Sequence, residues 1–74
     1  MPILKATTDR YCNLITEGFN CICSNNLPYA ISLRAQINQL LRTLNPMPNS
    51  KEVLGKRSNL YQMSESLVLL IRQV

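Results

Sequence analysis

Three cysteines, Cys12, Cys21 and Cys23, and three cations, Lys51, Lys56 and Arg57, are the side chains whose chemistry this sequence puts forward first. A thiol attacks as its thiolate, which is usually made by a neighbouring base, and the chain contains no histidine to play that part. Cys21 and Cys23 have the look of a metal pair. On one helix, however, residues two apart point about 160° away from each other, and the spacing is not the C-x-x-C of a zinc knuckle. With Cys12 the only other thiol, one ion would be short of ligands, so no metal and no cofactor are expected and the cysteines read as small, mostly buried, inert residues. The acidic groups, Asp9, Glu17, Glu52 and Glu65, are scattered and form no carboxylate pair. Without histidine or paired carboxylates, the expectation is a protein that is not an enzyme.

The cations offer a different chemistry. Lys51, Lys56 and Arg57 gather at the head of the third apolar segment, where they could touch phosphates with Tyr61 one turn on as a stacking group. The plainer reading is a solvated basic face that keeps an apolar protein dispersed. A helix-turn-helix reading fails on residues 45–50, because a connection with two prolines is longer and stiffer than the usual turn of 3 to 4 residues. Nucleic acid is therefore the second choice of partner, after protein.

The elements that must carry these groups are marked by two clusters of breakers, Ser24-Asn25-Asn26-Leu27-Pro28 and Asn45-Pro46-Met47-Pro48-Asn49-Ser50. Three segments remain, and each has helical period. In the first, over about residues 8–23, Tyr11, Leu14, Ile15, Gly18, Phe19, Cys21 and Ile22 fall on one broad arc, with Thr7 or Thr8 as cap and Asp9 near the positive end of the dipole. The second, 28–44, opens on Pro28 after an Asn26 or Leu27 cap and carries a narrow stripe of Ala30, Leu33, Ile37, Leu40, Leu41 and Leu44. The third, 51–73, is capped by Ser50, carries Glu52 in its first turn and Arg72 in its last, and is weakened by Gly55 and Ser58-Asn59, where a bend or fraying is expected. No stretch alternates long enough for a strand. The expected fold is all-α, a single helical domain over residues 1–74: a small antiparallel three-helix bundle, or a helical hairpin plus a C-terminal oligomerisation helix.

The run Leu67-Val68-Leu69-Leu70-Ile71 is what points to a partner. Its side chains point to every side of a helix, and a helix apolar all round has to be covered all round. A chain of 74 residues buries only about 60% of its unfolded surface, so oligomerisation is one way to staple it. Leu60, Met63, Leu67, Leu70 and Val74 fall at spacings of three and four, the period of a helical seam, and Leu69 extends the apolar surface to another side. Tyr29, Arg34 and Tyr61 join them as candidate contacts, since binding hot spots are enriched in Tyr and Arg. The net charge of +4 comes from eight Lys and Arg against four Asp and Glu, and these cations are scattered rather than massed. The first residues, Met1-Pro2-Ile3-Leu4-Lys5, lack the apolar stretch of a signal peptide, no segment approaches a membrane span, and an odd number of cysteines fits reduced thiols. A cytoplasmic protein is expected. Its function reads as protein–protein interaction: an adaptor, an inhibitor of the small kind that phages and mobile elements encode, or an assembly chaperone, acting on another protein or as a homo-oligomer.

Overall fold

The computed structural model describes residues 5–73, which form α1 (Lys5–Ser24), α2 (Leu27–Leu44) and α3 (Lys51–Arg72) packed against one another. No strand occurs among the described residues. None of the three helices is long and apolar enough to cross a membrane. The directions follow from the pairings between helices. Arg10 reaches Gln39 at 3.5 Å and Tyr29 donates to the Glu17 carboxylate at 3.1 Å, so α1 and α2 run in opposite directions. Asn59 donates to the Tyr11 hydroxyl at 2.7 Å and Gly18 lies against Met63, so α1 and α3 run in the same direction.

Short polar residues set the ends of the helices. Asn25 takes the left-handed conformation, φ 52°, and the backbone N–H groups of Asn25 and Asn26 donate to the carbonyls of Ile22 and Cys21. These two bonds satisfy the last carbonyls of α1 in the Schellman arrangement, with asparagine where glycine is commonest. Asn26 then caps α2, its side chain accepting from the Tyr29 N–H at 3.3 Å, and Pro28 is the second helical residue, not the first. Ser50 caps α3 by accepting from the Val53 N–H at 3.2 Å. The start of α1 differs from expectation: the chain is already helical at Lys5, so Thr7 and Thr8 are interior residues and Asp9 lies beyond the first turn.

The core is supplied unequally. Helix α2 buries Ala30, Leu33, Ile37, Leu40, Leu41 and Leu44, the narrow stripe of the sequence, whereas α1 buries only Leu14, Gly18 and Cys21. Helix α3 runs unbroken through Gly55, Ser58 and Asn59, against the expectation of a bend. Its first half is tied down by buried Val53, by the Asn59 bond to Tyr11, and by the Lys56 ammonium 5.2 Å from the Tyr11 ring centroid. The C-terminal run is divided: Leu67 and Leu70 enter the core, Val68 and Ile71 are half-buried, and Leu69 remains 54% exposed. Val74, expected on a partner seam, lies outside the described residues.

The two glycines have opposite surroundings. A Cβ on Gly18 would lie 2.8 Å from the Met63 Cγ, whereas one on Gly55 would meet nothing within 4 Å. In urea melts, Gly55→Ala should therefore gain about 0.5–1 kcal/mol from helix propensity alone. Gly18→Ala should lose about 1–2 kcal/mol, because overpacking at the α1–α3 contact exceeds the same propensity gain. In a Met63→Ala background Gly18→Ala should turn stabilising; a loss of equal size in both backgrounds would show that the contact is not the cause.

Candidate functional site

Each helix of a three-helix arrangement touches two others and leaves the rest of its circumference outward. On α1 the outward line runs through Lys5, Asp9, Cys12, Thr16, Phe19 and Cys23, all exposed and spaced alternately four and three residues apart. Phe19 is 60% exposed, although it belongs to the apolar arc read from the sequence. That arc is wider than α2 and α3 can cover: Leu14, Gly18 and Cys21 take the buried centre and Phe19 falls off its edge. Beside this line runs a groove of 320 Å³ between α1 and α3, with Ile15 and Phe19 on one wall and Gln62, Met63 and Ser66 on the other. Leu69 lies one turn beyond Ser66.

The lining of this groove carries no charged side chain. The Glu17 carboxylate is held on the opposite flank of α1 by Tyr29, and Glu65 and Arg72 project at least about 100° round α3 from Ser66. Lys56 closes one end, paired with Glu52 at 3.4 Å and stacked over Tyr11. Lys5 and Asp9 stand at the head of the outward line of α1, before Cys12, and the other charges lie farther from the groove. The groove between α1 and α2, 790 Å³ in volume, is lined by Asp9, Arg10 and Glu17 together with amide side chains. The outer surface of α2 carries Arg34 and Arg42, both exposed.

The residues expected at a partner interface are distributed over the whole molecule. Leu60, Met63, Leu67 and Leu70 are buried in the chain's own core, because the face of α3 on which they lie is the one that α1 and α2 cover. Tyr29 is tied to Glu17 between α1 and α2. Tyr61, 50% exposed, donates to Asn45 at 3.5 Å, and Arg34 is exposed on α2. Of the set, Met63 forms part of the α1–α3 groove wall and Leu69 lies one turn beyond Ser66, with Glu65 and Arg72 beside it on the same side of α3. The phosphate candidates also separate: Lys56 and Arg57 point about 100° apart on α3, with Lys51 a further 120° or so from either. Lys56 is engaged as above, Arg57 donates to the Asn49 side chain at 3.1 Å, and Lys51 is exposed. Three cations that diverge do not converge on one phosphate. Sequence reasoning placed Phe19 in the apolar arc and missed its exposure; the signal for it was an arc on α1 broader than two neighbours can bury.

The three thiols, read together as mostly buried, are not equivalent. Cys12 and Cys23 are exposed, while Cys21 is buried and donates its S–H to the Asn26 carbonyl at 3.2 Å. Among the described residues no cluster of His, Cys, Asp or Glu could hold a metal ion. No family model matches this chain, and no curated protein or solved structure matches it.

Burial pushes the Cys21 thiol above its ordinary value, and the bond to Glu17, followed by desolvation, does the same to the Tyr29 hydroxyl. A group whose pKa is raised on folding stabilises the fold fully below its unfolded pKa and loses that contribution as pH rises through the folded one. Thermal stability should thus hold between about pH 7 and 8 and fall from about pH 8.5 upward. Cys21→Ala should flatten the early part of that fall. Ellman's reagent should label Cys12 and Cys23 in the native protein and Cys21 only after unfolding; fast labelling of all three would contradict the buried thiol.

Proposed function

We propose that this chain is a small, non-enzymatic protein–protein interaction module of the cytoplasm, working as an adaptor, inhibitor or assembly chaperone by occluding a protein surface with the α1–α3 face and its uncharged groove. The observation that carries the reading is the α1–α3 groove, whose lining has no charged side chain and includes Phe19, 60% exposed, with Leu69, 54% exposed, one turn beyond Ser66. Depletion of charge with retention of aromatic and apolar groups is the composition of an interface centre. Ile31 on α2 and Leu54 and Tyr61 on α3 are also large exposed apolar side chains, but they stand singly and line neither groove. No metal or cofactor enters the proposal, and its mechanism is occlusion.

The test is capture of partners by the tagged full chain from host lysate, at low and high salt, with and without nuclease. A stoichiometric protein should survive nuclease and high salt, disappear with Phe19→Asp or Leu69→Asp, and persist with Lys56→Glu and Arg57→Glu together. Both apolar positions are exposed, so the substitutions should cost the fold no more than about 0.5 kcal/mol, which circular dichroism and melting will check. Recovery that vanishes with nuclease or salt and follows the Lys56 and Arg57 changes would instead assign the chain to nucleic-acid binding, since phosphate contacts weaken steeply with salt.

A further inference from the structure

We propose that the side of the molecule formed by α2 and α3 and turned away from α1 is a second docking surface, and that its occupant is an acidic, amphipathic protein segment. The proposal goes beyond the α1–α3 reading and uses none of the residues that line that groove. Contacts with α1 fix which flanks are meant. Tyr29 is bonded to Glu17, which marks the flank of α2 that meets α1, and Arg34 and Arg42 each lie about 140° round the helix from Tyr29. On α3 the corresponding mark is Asn59, bonded to Tyr11, and Arg57 and Arg72 lie about 160° and 140° from it. Tyr61 stands between those two arginines on the wheel and donates to Asn45 at the end of α2. Two faces of the molecule border α1, and this third face belongs to the arginines.

Charge and shape together select the occupant. Half of the chain's eight Lys and Arg stand on this side, Arg34, Arg42 and Arg72 exposed and Arg57 half-buried. Of the four acidic side chains only Glu65 joins them, since Asp9 and Glu17 belong to α1 and Glu52 pairs with Lys56 at the α1 flank. Among the described residues no carboxylate pairs with any of the four arginines. A guanidinium takes a carboxylate or a phosphate through two parallel N–H bonds, so the side is complementary to an anionic partner. The apolar side chains between the charges decide which kind. Ile31 precedes Arg34 by three residues, Leu54 precedes Arg57 by three and Tyr61 follows it by four, so each is the surface neighbour of a guanidinium. Ile31 is 60% exposed and Leu54 49%. A phosphate backbone would satisfy the arginines and leave both aliphatic groups facing water, whereas a segment with alternating carboxylate and apolar side chains meets both. A second copy would set arginines against arginines, and like charges brought together oppose association.

The test needs no knowledge of the natural partner. A displayed library of random peptides is selected on the immobilised full chain at low salt, and the recovered peptides are synthesised and titrated by fluorescence anisotropy. We expect the selection to enrich Asp and Glu together with Leu, Ile or Phe at helical spacing. Arg34→Glu with Arg42→Glu should weaken the selected peptides at least about tenfold, and Arg34→Lys with Arg42→Lys should weaken them less, through loss of the paired N–H bonds. Ile31→Ser should weaken them at unchanged charge. All of these positions are exposed, and circular dichroism should show the same helicity in every variant. Phe19→Asp and Leu69→Asp should leave the same peptides bound, so that the fate of this surface is separable from that of the α1–α3 groove.

A selection that yields no acidic peptides, or peptides indifferent to the Arg34 and Arg42 changes, would overturn the proposal. A single-stranded or duplex oligonucleotide that binds more tightly than the selected peptides, loses affinity with the same arginine changes and is unaffected by Ile31→Ser would overturn the protein segment as occupant and assign the surface to nucleic acid. Equal binding of polyglutamate and of the selected peptides would show that charge alone is read, and would overturn the amphipathic partner.

Discussion

The close approach of α1 to α3 at Gly18 and Met63 is the contact on which the rest of the surface depends. With no Cβ at Gly18, the Met63 side chain occupies the space between the two backbones and is itself buried. Closing the helices at this point fixes the rotation of α1, because the residue nearest α3 must be the glycine. Leu14 and Cys21 are then turned into the core, and Phe19 is carried past the edge of the contact and out to solvent. The groove and the exposed aromatic at its rim are thus consequences of where a single methionine is accommodated.

Much of the architecture was legible because it is local. The stripe on α2 is narrow, so its six apolar positions could be buried in only one way, and all six are. The Ser50 cap and the breakers flanking α2 were readable for the same reason, since a cap acts within a few residues of itself. The parts that could not be read depend on packing at a distance. The run from Leu67 to Ile71 is apolar on every side, and nothing within it says which two sides the other helices cover. The answer, Leu67 and Leu70 inward with Leu69 outward, follows from the direction in which α1 and α2 approach. The apolar arc of α1 had the same ambiguity. Its seven members fall on one broad arc, and the identity of Phe19 as the one turned out to solvent was set by Gly18.

The cysteines show how position on one helix separates groups of identical chemistry. Cys21 lies three residues after Gly18, on the side that faces the core, and its thiol supports the end of α1 by donating to the carbonyl of the next helix's cap residue. Cys12 and Cys23 stand on the outward line and face solvent. Grouping Cys21 with Cys23 by closeness in sequence is therefore misleading, because adjacent positions on a helix look in different directions. The instructive pairing is Cys12 with Cys23, which are far apart in sequence and share a side.

Charge distribution explains why a chain with so basic a balance can still present a neutral groove. The twelve ionisable side chains that give +4 are not spread evenly over the three helices' outer sides. Asp9, Arg10 and Glu17 follow the α1–α2 groove, and Arg34 and Arg42 stand outside α2. Lys56 is drawn down onto Tyr11 and Glu52 at the end of the α1–α3 groove. On α3 the residues that flank α1, from Asn59 through Gln62 to Ser66, are amides and a hydroxyl, which can hydrogen-bond to water or to a partner without the desolvation cost of an ion. Such a surface is wet enough to keep the free chain dispersed and cheap enough to dehydrate on contact.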